Sequence, residues 1–312
     1  MLMARTADSP DSRSLHRATG WLWLILFVAV AAISPPLPAQ AQGNPTGNAK
    51  RGEYLSKAAG CLGCHTEEKK GAVDYAGGRA LKTPFGTFYG PNITPHRDEG
   101  VGKWSEADFI KALRHGKRPD GANYFPAFPY PSFTAMTEAD MRDLWAYLRA
   151  LPASAQRSKP HDVGFPYNIR FAVTFWKWLY FTPGGPPAAT NANPQISRGA
   201  YLTTALGHCG ECHTPRNALG GPRKDRFLAG GKGPEGKNIP NLTPARLKKK
   251  WGDKDLTDFL FAGTTPDGDE PAAAMGEVIR NTTGQLTPED LKAMIAYLRA
   301  LPEIADEPAA KK

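Results

Sequence analysis

All four cysteines of the 312-residue chain lie in two copies of one motif, Cys-x-x-Cys-His. The copies consist of Cys61, Cys64 and His65, and of Cys209, Cys212 and His213. Two thiols at this spacing reach two vinyl groups on one edge of a porphyrin, and the imidazole that follows binds the iron. The motifs therefore predict two covalently bound haem c groups.

Two other uses of paired cysteines fit the sequence less well. A zinc site typically brings its Cys pairs within about 15 to 20 residues of each other, whereas these pairs are 148 residues apart. A redox-active pair of the thioredoxin type belongs to an alternating strand and helix pattern, and this sequence is rich in loops.

The second axial ligand of each iron is expected to be a methionine, because a neutral, soft thioether favours ferrous iron in an electron carrier. Met275 is the only methionine between His213 and the last predicted helix, and Met136 has the same distinction in the first copy. Met136 directly precedes a helix-capping threonine, so an apolar packing role at the helix start is the alternative. His96 and His115 are alternative ligands, although His115 is predicted to lie at a helix end near the surface.

The chain between the motifs and beyond them is a tandem repeat. Arg-Gly-x-Tyr-Leu occurs at 51–55 and 198–202, Pro-Asn-(Ile/Leu)-Thr-Pro at 91–95 and 240–244, and Ala-Tyr-Leu-Arg-Ala-Leu-Pro at 146–152 and 296–302. Matched tryptophans, asparagines and arginines also recur: Trp104 and Trp251, Asn92 and Asn241, Arg51 and Arg198. Binding of haem propionates and ordinary packing explain these matched residues equally well.

Each copy is predicted to be mainly α-helical. A short helix leads into the Cys pair, a second runs from the N-cap Ser105 to Gly116, and a third begins at Thr137. The third helix and its counterpart from Thr287 end at Leu-Pro, since a proline disfavours the helical conformation of the residue that precedes it. Leu144, Tyr147, Leu148 and Leu151 are expected to form a core stripe.

The sequence divides into five segments. Three arginines and an apolar run that is too short to span a bilayer precede Ala39-Gln40-Ala41, which is typical of a signal peptide; an uncleaved anchor is the alternative. The predicted segments are a signal peptide (1–41), a first domain (42–155), a linker (156–194), a second domain (195–305) and a polar tail (306–312).

The linker contains an aromatic segment at 165–181. Ala172, Phe175, Trp176 and Leu179 would share one face of a helix. Two roles stay open for it: a clamp that packs the two domains together, or a docking surface for a membrane or another subunit.

The chain is basic, with a formal net charge of +9. Removal of residues 1–41 takes away three arginines and two aspartates, so the net charge falls by one to +8. A basic chain suits an acidic protein, an anionic lipid surface or a nucleic acid, but export and the haem motifs give no support to nucleic-acid binding.

Longer segments carry a more specific resemblance than Cys-x-x-Cys-His. They are Gly77-Gly-Arg-x-x-x-Thr-Pro-Phe-Gly-Thr87, Phe125-Pro-Ala-Phe-Pro-Tyr130, Phe165-Pro-Tyr-Asn-Ile-Arg170 and Gly207-His-Cys-Gly-Glu-Cys-His-Thr-Pro-Arg-Asn217. With them the chain resembles the class I cytochrome c domains in the cytochrome c subunit of bacterial membrane-bound alcohol and gluconate dehydrogenases.

The resemblance implies two tandem class I cytochrome c domains, mainly α, joined by a Pro- and aromatic-rich linker. It also implies a periplasmic electron-transfer subunit, associated with the inner membrane, that takes electrons from a dehydrogenase large subunit and passes them to a downstream acceptor of the respiratory chain. A dihaem cytochrome c peroxidase is the alternative. That enzyme needs one iron with an open distal position. If Met136 and Met275 both bind iron, neither iron keeps such a position.

Overall fold

The computed structural model describes residues 47–184, 193–233, 238–269, 271 and 273–307. The predicted signal peptide and most of the polar tail lie outside these residues. The described residues belong to one compact unit. Within the described part of the chain, no helix has both the length and the apolar character needed to cross a membrane.

The two repeats are built mainly from helices, as the sequence predicts. The first repeat contains α1 (Ala49–Ala58), α2 (Cys61–His65), α3 (Glu106–His115), α4 (Tyr130–Phe133) and α5 (Glu138–Ala150). The linker forms α6 (Ala172–Tyr180). The second repeat contains α7 (Pro194–Tyr201), which continues into one π-helical turn (Leu202–Leu206), and then α8 (Gly210–His213), α9 (Pro244–Lys250), α10 (Asp253–Ala262), α11 (Ala273–Asn281) and α12 (Pro288–Ala300).

The predicted helix ends are confirmed where local side chains determine them. Ser105 and Asp108 form a reciprocal capping box at the start of α3, which ends at Gly116 in the left-handed conformation. Thr137 and Thr287 cap α5 and α12, each accepting a hydrogen bond from the backbone N–H of the aspartate three residues on. These caps fix where the third helix of each repeat begins.

The first and last helices of each repeat cross at a glycine. Gly52 of α1 lies against α5, and a Cβ atom built on it would be 2.8 Å from the Cβ of Tyr147. Gly199 of α7 lies against α12, where the equivalent distance to the Cβ of Tyr297 would be 2.9 Å. A side chain of any size would push the helices apart, which explains why the Arg-Gly-x-Tyr-Leu segment recurs.

Short strands complete the fold. In the first repeat, β1 (Ala80–Thr83) and β2 (Gly86–Tyr89) form an antiparallel hairpin, and β3 (Asp162–Val163) from the linker pairs antiparallel with β2. In the second repeat, β4 (Gly231–Lys232) pairs antiparallel with β5 (Asn238–Ile239). The linker therefore begins as part of the sheet of the first repeat.

One core extends through both repeats. It contains Leu144 and Leu148 from the predicted stripe, with Tyr147 and Leu151 packed at its edge. Val101 and Phe109 of the first repeat and Leu291 of the second belong to the same cluster. The two repeats thus share a continuous apolar interior.

The aromatic segment of the linker forms a helix, and the face predicted to be apolar points largely to solvent. Ala172, Phe175 and Leu179 are exposed, whereas Val173 is buried. Lys177 also faces the protein, since its Nζ donates a hydrogen bond to the carbonyl of His115 and lies over the ring of Tyr130. The helix packs through a mixed face that hydrophobic periodicity alone does not identify.

Candidate haem sites

Each Cys-x-x-Cys-His motif starts a short helix just after a sharp change in chain direction. Gly60 precedes Cys61 with a φ of 63°, and His208 precedes Cys209 with a φ of 40°. This left-handed region suits glycine and is uncommon for other residues. The turn separates the attachment helices α2 and α8 from the helices before them and sets the direction in which each motif projects.

The proximal histidines are held in the orientation that iron binding requires. Nδ1 of His65 is 2.7 Å from the carbonyl oxygen of Pro91, and Nδ1 of His213 is 2.8 Å from that of Pro240. An Nδ1–H that donates to a carbonyl leaves Nε2 as the lone-pair donor for a metal. Burial lowers the pKa of both imidazoles, which favours the neutral form that binds iron. These residues fit a haem iron.

The recurring Pro-Asn segments hold the carbonyls that orient these histidines. The side-chain oxygen of Asn92 accepts from the backbone N–H of Thr94 at 2.9 Å, and its Nδ2 donates to the carbonyl of Ser154 at 2.8 Å. Asn241 accepts from the N–H of Thr243 at 2.7 Å in the same way. The matched asparagines therefore make packing contacts that fix the loop beneath each proximal histidine.

The four thiols are free of disulfide bonds. Burial raises the pKa of Cys61 and of Cys209 to about 12, and that of Cys64 to about 11. A redox-active Cys-x-x-Cys pair needs a lowered thiol pKa. The opposite direction of the shift disfavours a redox-active pair.

The two predicted distal methionines occupy different structural positions. Met136 is 1% exposed and directly precedes Thr137, the N-cap of α5. Its positional counterpart, Leu286, is also buried and precedes Thr287. Met275 lies on α11, partly buried against the core. The methionine assignments stay predictions, and the apolar packing role of Met136 has a direct parallel in the second repeat.

The other candidate ligands and propionate partners have contacts of their own. His115 is exposed at the end of α3, and Nδ1 of His96 accepts from the backbone N–H of Glu99 at 3.1 Å. Arg51 donates to Asp140 and Asp143 on α5. The remaining recurrent residues pack similarly: Arg198 donates to Asp290 on α12, and Trp104 and Trp251 pack at the edge of the core.

Both attachment motifs lie at the interface between the repeats. Oγ of Ser132 donates to Oε1 of Glu211, inside the second motif, at 3.0 Å. Glu277 on α11 faces the first motif, since a Cβ atom built on Gly63 would lie 3.5 Å from its Oε1, and its Oε2 accepts from Nη2 of Arg79 at 2.6 Å. The ring of His208 lies 5.6 Å from that of Phe133 in the first repeat. Contacts from each repeat therefore reach the motif of the other.

Sequence reasoning missed two tyrosines of this interface, Tyr54 and Tyr201, whose hydroxyls bind residues of the opposite repeat. The sequence feature that could have pointed to them is their identical position in the two Arg-Gly-x-Tyr-Leu segments. Sequence comparison of the copies with each other reveals such a match but not the partner across the interface.

Comparison with known proteins agrees with this geometry. The cytochrome c family profile matches residues 49–152 and 196–302. A "Diheme cytochrome c-type" protein of Cereibacter sphaeroides is 43% identical over 92% of this chain and 98% of its own length.

Dehydrogenase subunits are also similar. The cytochrome c subunit of a quinone alcohol dehydrogenase of Gluconacetobacter polyoxogenes is 37% identical over 82% of this chain and 56% of its own length. The cytochrome c subunit of gluconate 2-dehydrogenase of Pantoea cypripedii is 35% identical over 89% and 64%. The chain thus spans roughly half to two thirds of these subunits, and both relatives support electron transfer.

The fold, the motifs and the relatives lead to one assignment. Both repeats match the same family, and each holds an intact attachment motif. In each repeat Nδ1 of the proximal histidine is hydrogen-bonded to a backbone carbonyl. Two haem c groups are therefore bound covalently. The chain belongs to the cytochrome c family and consists mainly of two tandem, mostly α-helical cytochrome c domains.

Proposed function

We propose that this chain is a periplasmic dihaem cytochrome c that relays electrons from a partner dehydrogenase toward the respiratory chain. The observation that carries the proposal is that both attachment motifs lie at one interface, where Glu211 of the second motif binds Ser132 and Gly63 of the first motif faces Glu277. Two haems attached at neighbouring motifs are held at a fixed separation, which suits transfer from one to the other within a single chain.

The residues of each domain would hold its iron in a closed coordination sphere. His65 and Met136 would bind one iron, and His213 and Met275 the other. The haem supplies one-electron redox chemistry when bound. The cysteines anchor it, the Pro91 and Pro240 carbonyls keep the proximal imidazoles oriented, and the thioethers exclude small ligands such as peroxide, so the chain would transfer electrons without carrying out catalysis.

The partner is proposed from the named relatives. Several are cytochrome subunits of alcohol, fructose or gluconate dehydrogenases, so a dehydrogenase large subunit is the expected electron donor. The mature net charge of +8 would favour an acidic docking face on the donor or acceptor. Association should slow as salt is added, because the screening length falls to about 8 Å at physiological ionic strength.

The aromatic surface of the linker supports a location at the inner membrane. It is formed by large exposed side chains: Phe165, Tyr167, Phe171, Phe175, Trp178 and Leu179. Trp178 is 82% exposed and Phe171 is 70% exposed. Aromatic side chains of this kind favour the interfacial layer of a bilayer.

The basic net charge of the chain favours anionic lipid as the occupant of this surface, because exposed aromatic rings on a positively charged protein fit an anionic headgroup layer.

A vesicle assay tests the membrane contact. The purified holoprotein should co-sediment with vesicles that contain phosphatidylglycerol, and a double Phe171→Ser, Trp178→Ser variant should lose that binding. Phe261→Ser removes an exposed phenylalanine of α10 from outside the surface and serves as the matched control. If the double variant binds vesicles normally but loses affinity for the dehydrogenase, the surface docks the protein partner instead.

Export is tested by locating the mature protein. The periplasmic fraction should contain a chain that begins at Gln42, with a mass that exceeds the polypeptide by two haems. A protein that keeps residues 1–41 and remains with the membrane would identify an uncleaved anchor instead.

The relay is tested against the peroxidase alternative with the same purified protein. Substrate and the co-encoded dehydrogenase should reduce both haems of the oxidised form. Hydrogen peroxide added to the reduced form should turn over slowly. Fast peroxide turnover together with no reduction by the dehydrogenase would reject the relay.

A further inference from the structure

Tyr54 and Tyr201 hold the same place in the two repeats, and each reaches across the interface to the other domain. The hydroxyl of Tyr201 donates to the carboxylate of Asp140 and accepts from the backbone N–H of Thr137 at 3.1 Å. The hydroxyl of Tyr54 donates to Oδ2 of Asp290 at 2.6 Å, and the N–H of Thr287 donates to it at 3.2 Å. Each tyrosine thus binds the first turn of the last helix in the opposite domain.

These contacts are well anchored. Asp140 also accepts from Arg51 of its own domain, and Asp290 accepts from Nε of Arg198 at 2.8 Å. A hydroxyl that donates to a carboxylate makes a charge-assisted hydrogen bond, which is stronger than a neutral one. Tyr201 and Asp140 are both buried. Removing either one would leave the polar atoms of the other without a hydrogen-bond partner, and little water is present to supply one.

The two contacts are alike in geometry but differ in what lies next to them. Thr137 follows Met136 directly, so Tyr201 binds the peptide N–H that immediately follows the predicted distal ligand of the first domain. Thr287 follows Leu286, and Met275 lies twelve residues before Thr287, on α11. Tyr54 therefore binds a segment that carries no predicted ligand.

We propose that Tyr201 is a positioning residue for Met136, so that the second domain holds the distal ligand of the first haem in place. The proposal rests on the His/Met coordination proposed above. The N–H of Met136 donates to the carbonyl of Phe133 at 2.9 Å on one side of the residue, and Tyr201 fixes the peptide on the other. Packing of the two domains and coordination of one haem are thereby coupled.

The coupling through the two tyrosines is one-sided. Loosening the interface at Tyr201 frees the segment of Met136, while loosening it at Tyr54 leaves α11 and Met275 with their own contacts, which include the bond from Arg79 to Glu277. The first haem should therefore respond to loss of the Tyr201 hydroxyl, and the second haem should not respond equally to loss of the Tyr54 hydroxyl.

The experiment compares Tyr201→Phe with the matched control Tyr54→Phe in the holoprotein. Both variants are made in a Met275→Leu background, where the remaining near-infrared sulfur-to-iron band reports the first haem alone. Tyr201→Phe should weaken that band and raise the affinity of the first haem for imidazole on the order of tenfold, the equivalent of one charge-assisted hydrogen bond. Tyr54→Phe should leave both quantities near the parent values.

Met136→Leu separates failure of the proposal from failure of the ligand assignment. It keeps an apolar side chain where the second domain has Leu286, and it removes only the thioether. If Met136→Leu retains the band, Met136 is not a ligand and both conclusions fall. If Met136→Leu abolishes the band but Tyr201→Phe changes neither band nor imidazole affinity, or Tyr54→Phe changes them equally, the positioning role is refuted while the coordination stands. Asp140→Asn keeps the side-chain size and replaces the charge-assisted hydrogen bond from Tyr201 by a neutral one, so it should shift both quantities in the same direction as Tyr201→Phe but by less.

Discussion

Gly52 lies where α1 crosses α5, and the crossing leaves no room for a methyl group. A Cβ atom at this position would lie 2.5 Å from the carbonyl carbon of Asp143 and 2.8 Å from the Cβ of Tyr147. Carbon atoms in favourable contact are about 3.5 to 4.0 Å apart. Gly52→Ala therefore requires the helices to separate by about 1 Å, even though the same change in an isolated helix would stabilise it.

The size of the effect follows from two opposing contributions. Helix propensity favours alanine by about 1 kcal/mol, and overpacking costs about 1 to 3 kcal/mol, or more where the neighbour is backbone. We expect a net loss of about 2 kcal/mol in the free energy of unfolding. In a folded unit of this size, that lowers Tm by about 4 to 8 °C.

The assay is thermal unfolding of the holoprotein, followed by far-ultraviolet circular dichroism. Gly164→Ala is the control, because a Cβ atom there meets nothing within 4 Å and Tm should hardly change. An unchanged or raised Tm for Gly52→Ala would refute the close crossing, and with it our explanation of the repeated Arg-Gly-x-Tyr-Leu segment.

Three further predictions concern single side chains. Met275→Leu should remove the sulfur-to-iron band of one haem and lower its reduction potential, as a spectroelectrochemical titration would measure; an unchanged potential would reject Met275 as a ligand. Among the described residues the buried hydroxyl of Thr203 has no hydrogen-bond partner, so Thr203→Val should leave the free energy of unfolding unchanged or raise it by about 1 kcal/mol. Ser56→Ala, at the matched position, removes a 2.9 Å hydrogen bond to a tyrosine hydroxyl and should lower that free energy by about 1 kcal/mol; equal effects of the two changes in thermal unfolding would contradict the assignment. Burial acts to raise the pKa of Asp290, but hydrogen bonds from Arg198 and from a tyrosine outweigh it and hold the pKa below its usual value. This contribution to stability is complete above about pH 4, the ordinary aspartate pKa, and is lost as the pH falls through the lower folded pKa. Asp290→Asn should therefore make the decrease of Tm below pH 4 less steep. A decrease as steep as that of the parent protein would be inconsistent with this interaction.

The elements that the sequence predicts well depend on local chemistry. The capping box of Ser105 and Asp108 and the caps at Thr137 and Thr287 involve atoms within three residues of each other, so sequence spacing is sufficient to find them. The haem motifs are local for the same reason. Carbonyl support of each proximal histidine, by contrast, comes from a proline 26 or 27 residues away and becomes visible only in the folded chain.

The packed face of α6 shows what hydrophobic periodicity does not determine. Its inward face includes Lys177, whose ammonium group donates to a carbonyl and lies over two aromatic rings. Burial is the main reason that the pKa of Lys177 falls to about 8. Because a long basic side chain can bury its stem and still satisfy its charged end, the sequence pattern alone does not determine which face of α6 packs inward.

The cross-domain tyrosines were beyond sequence reasoning for a different reason. Tyr201 and Asp140 are 61 residues apart, and Tyr54 and Asp290 are 236 apart. The repeat reveals that the tyrosines are equivalent, but the partner of each is determined by how the two domains dock. A single sequence carries no direct signal of that docking.

Intramolecular electron transfer is the most direct test of the relay. A flash photoreduction that delivers less than one electron per oxidised holoprotein should be followed by redistribution of that electron between the two haems, monitored in the α-band region of the visible spectrum. We predict a redistribution rate that is independent of protein concentration, because both haems are attached at one interface within the same chain. A rate proportional to protein concentration would show that electrons pass between molecules, and would contradict a relay built into a single chain.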